Sequence, residues 1–324
     1  MLWLMKPFRQ RWPWIGADLQ TLRDSVVVSR WPADTAQRRL IPLPDGGSLL
    51  LKRDLPPQVD PRGGVLLVHG LAGSSERSGV RRLAQLLVQS GFAVWRLNLR
   101  GAGEGRALAA GTYAAACNRD LSPVLAALRQ EAWGRPLLGV GLSLGGTVLL
   151  NALLAQPDGL DALACVSSPL DLAACSSQIA RPRNALYQHY LVRGLIQQTL
   201  ADPFATPSEL PANLNGVRTI RGFDALITAP RWGYVDVDDY YREASPLARI
   251  RSGAPLPPLL LIHALDDPWV PVASLQGLAG QHLAAVEICL PPWGGHNGFH
   301  GVDDPPASSW ADRCVVDWLS QRCS

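Results

Sequence analysis

The chain of 324 residues has little lysine, little net charge and no long hydrophobic run. Lysine occurs twice, and 30 basic against 27 acidic residues leave a net charge of +3 without a basic or acidic block. Nucleic acid is normally bound by a clustered basic face, and a membrane-spanning helix needs about 20 consecutive apolar residues. The sequence therefore predicts no nucleic-acid partner and no transmembrane span.

Patterns that bind metals and cofactors are also missing. None of the six cysteines forms a C-x-x-C pair or stands at metal-ligand spacing from a histidine. The stretch Gly101 to Gly105 resembles a dinucleotide-binding loop, but Arg106 occupies the position of the third glycine in that pattern. We therefore expect neither a metal nor a cofactor.

The N-terminus shows no secretory signal, because its apolar run is too short for the hydrophobic region of a signal peptide. A reduced, cytoplasmic location is therefore expected. Residues 1–25 are interpreted as an N-terminal arm that packs on the domain, and weak peripheral membrane contact through this arm is the alternative. The residues that suggest membrane contact are Trp3, Lys6, Arg9, Arg11, Trp12 and Trp14.

Apolar residues make up 47% of the chain, which is enough for a large core. Eight short apolar segments alternate with helical patterns, as in parallel sheets that helices cover on both faces. The sequence therefore predicts an α/β fold with a mostly parallel, doubly wound, eight-stranded sheet. The predicted strands are residues 39–43, 48–53, 64–69, 93–99, 136–142, 162–167, 259–264 and 286–290.

Residues 170–250 break this alternation. They show no strand pattern and contain helical pieces rich in Arg, Tyr and Asp. This stretch stands between two predicted core strands, and a long insertion in a compact domain is usually functional. We interpret it as a helical cap inserted within a single domain that spans residues 1–324.

The strongest chemical motif is the G-x-S-x-G pentapeptide from Gly141 to Gly145, with Ser143 at its centre. It follows a predicted strand and opens a predicted helix, which is the context of a nucleophile elbow. The two glycines let the strand and the helix approach closely, and the helix N-terminus favours negative charge. Ser143 is therefore the predicted nucleophile, and a serine in an ordinary strand–helix turn is the alternative.

A serine hydroxyl needs a base, and His296 is favoured among the six histidines. It lies in a glycine-rich loop between the last predicted strand and the last predicted helix, where enzymes with this elbow place their base. His300 suggests a metal pair with His296, but the glycines around them argue against the helix that such a pair needs. The other histidines are interpreted as structural or peripheral: His69, His189, His263 and His282.

The base in turn needs an acid that holds its tautomer. Asp267 is the predicted acid because it opens a D-x-x-V-P pattern after a predicted strand, and Asp266 and Asp171 remain as alternatives. The resulting chain order of Ser143, Asp267 and His296 is the order found in enzymes with this elbow.

Acyl transfer also needs donors for the oxyanion. The backbone N–H of Leu144, directly after the nucleophile, is one predicted donor. The backbone N–H of Leu71, in the loop after His69, is the other. Because backbone groups donate here, the side chains at these two positions carry little information.

These residues resemble those of the α/β-hydrolase superfamily, and within it the chain resembles the YheT-like hydrolases, which are related to eukaryotic medium-chain esterases. The resemblance covers nearly the whole chain. Asp18 departs from it, because the family often has a histidine there, and any substrate contact of that histidine would be lost. The motifs that carry the resemblance are Leu19 to Thr21, His69 to Ser75, Leu97 to Gly101, Gly141 to Gly146, Asp171 to Cys175, Phe223-Asp224, Thr228 to Pro230, Gly233-Tyr234, Asp239 to Tyr241 and Gly294 to Phe299.

The resemblance implies a carboxylic-ester hydrolase, or acyl transfer to an alcohol, without a cofactor. We therefore predict a serine esterase that acts on short- to medium-chain acyl esters through an acyl-enzyme intermediate. An acyltransferase or thioesterase with the same triad is one alternative, and a non-catalytic lipid-binding protein on a hydrolase scaffold is the other. The aromatic residues considered for an acyl pocket under the cap, or for packing between cap and core, are Phe223, Trp232, Tyr234, Tyr240 and Tyr241.

Overall fold

An eight-stranded sheet forms the centre of the computed structural model, which describes residues 7–27, 31, 33–57, 60–132, 134–205, 210–281, 283–305 and 308–323. The strands are β1 (Gln37–Pro42), β2 (Ser48–Asp54), β3 (Gly64–Val68), β4 (Ala93–Asn98), β5 (Leu137–Leu142), β6 (Ala162–Val166), β7 (Leu259–Ile262) and β8 (Val286–Cys289). Their order across the sheet is β1-β2-β4-β3-β5-β6-β7-β8. β2 pairs antiparallel with β1 and β4, and the other neighbours pair in parallel. The predicted fold class is confirmed.

Strands β3, β5, β6 and β7 are apolar throughout because helices cover both faces of the sheet. Along β3, Val65 and Leu67 point to one core cluster, whereas Leu66 and Val68 point to the other. This alternation is the two-residue period of a strand. The outer strand β1 is mostly exposed, so one edge of the sheet is left at the surface.

Helices surround the sheet and follow the strands in the predicted alternation. They are α1 (Ala17–Val26), α2 (Ser78–Gln89), α3 (Asn118–Glu131), α4 (Leu144–Ala155), α5 (Leu172–Ile179), α6 (Ala185–Leu200), α7 (Ile220–Phe223), α8 (Ala229–Arg231), α9 (Val237–Ala244), α10 (Leu247–Arg251), α11 (Ala273–Ala279) and α12 (Trp310–Ser320). Residues of α2 and α12 pack in one core cluster, and residues of α3 and α4 pack in the other.

The stretch between β6 and β7, which we call the cap segment (residues 170–250), is helical in its described parts, 170–205 and 210–250. A π-helical turn, Asp224–Thr228, joins α7 to α8. Side-chain oxygens cap the start of three of these helices: Asp171 accepts from the Ala174 N–H, Thr219 from the Gly222 N–H and Asp236 from the Asp239 N–H. That this segment acts as a cap remains a prediction.

The described part of the N-terminal arm packs on the domain. Phe8 is buried against the rings of Phe299 and Trp310, with ring centroids 6.0 and 5.6 Å away. Trp3 and Lys6, two of the residues that suggest membrane contact, lie outside the described residues. No helix within the described ranges is long and apolar enough to cross a membrane.

Candidate active site

Ser143 stands at a sharp turn between β5 and α4. Its backbone has φ 52° and ψ −127°, a left-handed conformation that non-glycine residues rarely adopt. Gly145 allows this turn, because a Cβ atom there would lie 2.3 Å from the carbonyl oxygen of Val68 in β3. A Cβ atom at Gly141 would lie 2.2 Å from the Cα of Gly146. The elbow therefore depends on close backbone packing that larger residues would prevent.

His296 connects Ser143 to a carboxylate. Its Nε2 lies 2.9 Å from Ser143 Oγ, and its Nδ1 lies 2.9 Å from Asp267 Oδ2. The imidazole is buried and stacks on the indole of Trp269, with ring centroids 4.4 Å apart and planes at 27°. Three residues far apart in sequence thus form one line of hydrogen bonds. The sequence did not single out Trp269, although it lies in the same loop as Asp267.

Asp267 is the carboxylate that the structure brings to the histidine. Its second oxygen accepts from the N–H groups of Trp269 (2.8 Å) and Val270 (3.0 Å). Burial alone would raise the pKa of Asp267, but His296, His263 and the backbone donor of Val270 outweigh burial and hold that pKa below its ordinary value. Asp267 is therefore an ionised group that faces the imidazole.

The alternative carboxylates serve other contacts. Asp266 accepts a hydrogen bond of 2.9 Å from the Gly295 N–H, next to the histidine, and so supports the loop rather than the ring. Asp171 caps the start of α5. Neither occupies the position beside His296 Nδ1.

The two predicted oxyanion donors lie on different elements near the nucleophile. Leu144 begins α4, so its N–H is one of the donors that a helix leaves unpaired. Leu71 lies in the loop after β3, which passes close to Ser143: a Cβ atom at Gly70 would lie 2.9 Å from the Ser143 Cβ. Both residues line the same cavity as Ser143.

His69 fixes the direction of the peptide between Gly70 and Leu71. Its Nε2 accepts from the Leu99 N–H (3.3 Å), which leaves its Nδ1–H to donate to the Gly70 carbonyl (2.8 Å). Because C=O and N–H point in opposite directions in a trans peptide, this bond turns the Leu71 N–H away from His69. Burial lowers the pKa of His69 to about 4, so the ring is neutral. The sequence interpretation of His69 as structural did not include this orienting contact.

The other histidines lie outside the line of hydrogen bonds. His263 is buried, and its Nε2 lies 3.1 Å from the Val270 carbonyl. The Nε2 of His300 lies 3.3 Å from Asp24 Oδ1, away from Ser143. His189 is exposed on α6, and His282 lies outside the described residues.

A cavity of about 600 Å³ opens beside Ser143 and His296. This volume lies within the range of small-molecule sites. Apolar side chains form much of its wall: Leu71, Leu144, Leu172, Ile179, Leu191, Ile220 and Val270. Its polar wall includes Asp224, a part-buried carboxyl group for which the sequence suggested no role. Burial raises the pKa of Asp224 to about 6, against hydrogen bonds from Thr228 and Tyr241 that lower it.

The expected aromatic lining is correct for two residues of five. Tyr240 and Tyr241 line the cavity. Phe223 packs instead in a small apolar cluster with α6. Trp232 donates from Nε1 to the Thr112 carbonyl (2.9 Å) and lies under an arginine. Tyr234 packs on the ring of Tyr240, with centroids 5.0 Å apart.

Asp18, where the resemblance leads one to expect a histidine, also lies outside the cavity lining. Asp18 is exposed, and its carboxylate binds the guanidinium of Arg183 (3.0 Å) and the hydroxyl of Tyr187 (2.9 Å) on α6. The aspartate therefore joins the N-terminal arm to the cap segment in this chain.

Comparisons with known proteins identify the family of this chain. A family model described as serine aminopeptidase, S33 (Hydrolase_4) matches residues 59–296. The putative esterase YheT of Escherichia coli is 33% identical over 86% of this chain and 83% of its own length. Phospholipase ABHD3 of Homo sapiens is 28% identical over 95% of this chain and 77% of its own length.

A solved structure, the Pyrococcus furiosus esterase Pf2001, covers 98% of this chain and 99% of its own with a TM-score of 0.60. At 14% identity this likeness concerns the fold alone. The family model matches most of the chain, residues 59–296, and the two relatives cover 86% and 95% of it. The chain belongs to the serine aminopeptidase S33 (Hydrolase_4) family, among the YheT-like α/β hydrolases, and is a serine hydrolase of esterase type.

Proposed function

We propose that the chain hydrolyses carboxylic esters of short- to medium-chain acids, with Ser143 as nucleophile, His296 as general base and Asp267 as the residue that orients the base. One observation carries the proposal: hydrogen bonds of 2.9 Å join Asp267 to His296 and His296 to Ser143. These distances are within the reach that proton transfer between nucleophile and base requires.

In the first step, Ser143 Oγ attacks the ester carbonyl carbon while His296 Nε2 takes the hydroxyl proton. The carbonyl oxygen becomes an oxyanion, which accepts hydrogen bonds from the N–H groups of Leu71 and Leu144. The bond between the carbonyl carbon and the alcohol oxygen then breaks, and His296 gives its proton to the leaving alcohol. Asp267 stays ionised and stabilises the imidazolium.

In the second step, a water molecule attacks the acyl group on Ser143. His296 takes a proton from the water, and the same backbone donors bind the second oxyanion. The bond between the carbonyl carbon and Ser143 Oγ breaks, the proton returns to the serine, and the carboxylic acid leaves.

The cavity supports an apolar acyl group as the substrate part beside the nucleophile. Its volume of about 600 Å³ and its leucine and isoleucine walls suit a flexible hydrocarbon chain. Part of the wall comes from residues 170–250, including Ile179, Leu191 and Tyr241. We therefore propose that this segment caps the site within one catalytic unit of residues 1–324.

The test compares wild type with Ser143→Ala on p-nitrophenyl esters from acetate to palmitate. We expect the substitution to lower kcat by about 10⁴-fold or more, and the wild type to prefer short to medium chains. A phospholipid belongs in the panel because a relative is named a phospholipase. Ser90→Ala is the matched control, since the Ser90 hydroxyl donates to the Leu86 carbonyl at the end of α2 (2.9 Å) and Ser90 does not line the cavity.

Three outcomes contradict parts of the proposal. Full activity in Ser143→Ala removes the nucleophile assignment. If a fluorophosphonate probe does not label the folded wild-type protein, the result favours the alternative of a non-catalytic lipid-binding protein. If new ester forms faster than free acid when an alcohol is added, the result favours an acyltransferase.

A further inference from the structure

The loop that carries His296 has an unusual backbone. Gly294, Gly295, Asn297 and Phe299 all have positive φ, at 147°, 57°, 57° and 52°. Two of these residues are not glycine, so their left-handed conformation is strained. Such a backbone persists only where the surrounding structure holds it in place. The N-terminal arm supplies much of that structure.

The hydroxyl of Thr21 on α1 bonds the backbone of the histidine itself. Thr21 Oγ1 donates to the Ala17 carbonyl (2.7 Å) and accepts from the His296 N–H (2.9 Å). The first bond uses the hydroxyl proton, so an oxygen lone pair is directed to the histidine. The contact joins residues 275 positions apart.

Gln20, the neighbour of Thr21, binds both backbone groups of His300. Its side-chain carbonyl accepts from the His300 N–H (2.7 Å), and its Nε2 donates to the His300 carbonyl (3.1 Å) and to the Trp14 carbonyl (2.6 Å). Gln20 is fully buried. One amide therefore fixes the far side of the loop.

The loop and α1 are also in direct backbone contact. A Cβ atom at Gly295 would lie 2.3 Å from the Ala17 carbonyl oxygen, and one at Gly298 would lie 2.5 Å from the Gln20 carbonyl oxygen. The glycines therefore let the loop press onto the helix so that the Thr21 hydroxyl reaches it.

We propose that Thr21 and Gln20 are positioning residues for His296, which makes the N-terminal arm part of the active site. Asp267 holds the imidazole only at Nδ1, so the distance from Nε2 to Ser143 depends on where the histidine backbone lies. The arm fixes that backbone. This inference rests on the proposed role of His296 as the base.

The experiment compares Thr21→Val, Thr21→Ser and the control Thr199→Val. Valine has the shape of threonine but removes the bond to the His296 N–H, whereas serine keeps it. Thr199 is a matched control because its hydroxyl also donates to the carbonyl four residues earlier, Leu195 (2.9 Å), near the C-terminal end of α6, and Thr199 itself does not line the cavity.

We expect Thr21→Val to lower kcat about 10- to 100-fold, the loss that displacement of a reacting group by about 1 Å can cause, with KM changed by less than about twofold. The rate of fluorophosphonate labelling should fall in parallel. Thr21→Ser should restore kcat to within about threefold of wild type, and Thr199→Val should keep it within about twofold.

The inference would be overturned if folded Thr21→Val kept the wild-type kcat. It would also be overturned if Thr199→Val lost as much kcat as Thr21→Val, or if Thr21→Ser did not restore kcat. If Thr21→Val does not fold, Gln20→Met provides the second variant, since it removes the bonds to His300 and leaves Thr21 in place. Ser143→Ala separates the two proposals: if that variant stays active, the catalytic assignment fails regardless of the Thr21 result.

Discussion

The loops at the carboxyl edge of the sheet hold a buried carboxyl group, Asp267, whereas the cap segment holds a part-buried one, Asp224, and their surroundings differ. Asp267 at the sheet edge receives hydrogen bonds from two backbone N–H groups and faces the imidazole of His296. Asp224 in the cap segment accepts from the hydroxyls of Thr228 (2.7 Å) and Tyr241 (2.8 Å). Among the described residues, no cation pairs with Asp224.

The two environments shift the pKa of a carboxyl group in opposite directions. Burial opposes the charge at both sites, and only at Asp267 do the imidazole and the backbone donors outweigh it. At Asp224 burial prevails and raises the pKa to about 6. In the proposed mechanism the sheet edge therefore supplies a fixed charge for the imidazolium of the reaction, whereas the cap segment supplies a cavity wall with a weakly acidic group. The same substitution in the two regions should consequently have very different effects.

The largest expected effect comes from Asp267→Asn. The amide cannot stabilise an imidazolium and favours the wrong tautomer, so kcat should fall about 10⁴-fold. Asp224→Asn, the matching change in the cap segment, should lower kcat by less than about fivefold at pH 8. Steady-state kinetics of both variants on one p-nitrophenyl ester measure the contrast.

Asp266→Asn is the neighbouring control, because an amide oxygen can still accept from the Gly295 N–H. We expect a loss of less than about tenfold. A loss in Asp224→Asn as large as that in Asp267→Asn would remove the distinction between the two regions, and a larger loss in Asp266→Asn would favour Asp266 as the acid.

A second contrast concerns glycines, and its expected effect is smaller. A Cβ atom at Gly145 meets the backbone oxygens of Val68 and His69 at 2.3 and 2.6 Å, whereas one at Gly194 in α6 meets only the Ala72 Cβ at 3.0 Å. Gly145→Ala should therefore cost about 3 kcal/mol or more of stability. Gly194→Ala should stay within about 1 kcal/mol of wild type, because alanine favours the helix.

Urea unfolding followed by circular dichroism gives both free energies. Equal stabilities for Gly145→Ala and wild type would mean that the elbow has room for a side chain, contrary to the packing against β3.

The sheet edge was predictable because its signals are local. Ser143 was recognised from five consecutive residues between a strand and a helix, and the loops of Asp267 and His296 were recognised from their places after strands. The structure brings these three side chains together. The fold was predictable for a similar reason, since strands buried on both faces have continuous apolar runs.

The cap lining and the arm contact were less accessible from sequence. Phe223 and Tyr241 are both aromatic residues in short helices of one segment, yet one packs in an apolar cluster and the other lines the cavity. The periodicity of apolar residues predicts which side chains are buried, but it does not distinguish those that line a cavity from those that pack in the core. The contact between Thr21 and His296 joins the two ends of the chain, so no local pattern contains it.

The smallest effect concerns stability against pH and again separates the two carboxyl groups. Asp224 has a pKa of about 6 in the folded protein and about 3.8 when unfolded, so between these values the folded state binds the extra proton. Stability from this group therefore falls as pH rises, by about 3 kcal/mol in total, with about half of that fall between pH 5 and pH 8.

Asp224→Asn does not titrate, so its stability relative to wild type should rise by about 1 to 2 kcal/mol between pH 5 and pH 8 in urea unfolding. Asp267 has the opposite sign, since its lowered pKa adds stability that is lost only as pH falls below about 4. A constant difference between Asp224→Asn and wild type across this pH range would mean that the cap carboxyl is ionised as readily as an exposed one, and the contrast between the two regions would fail.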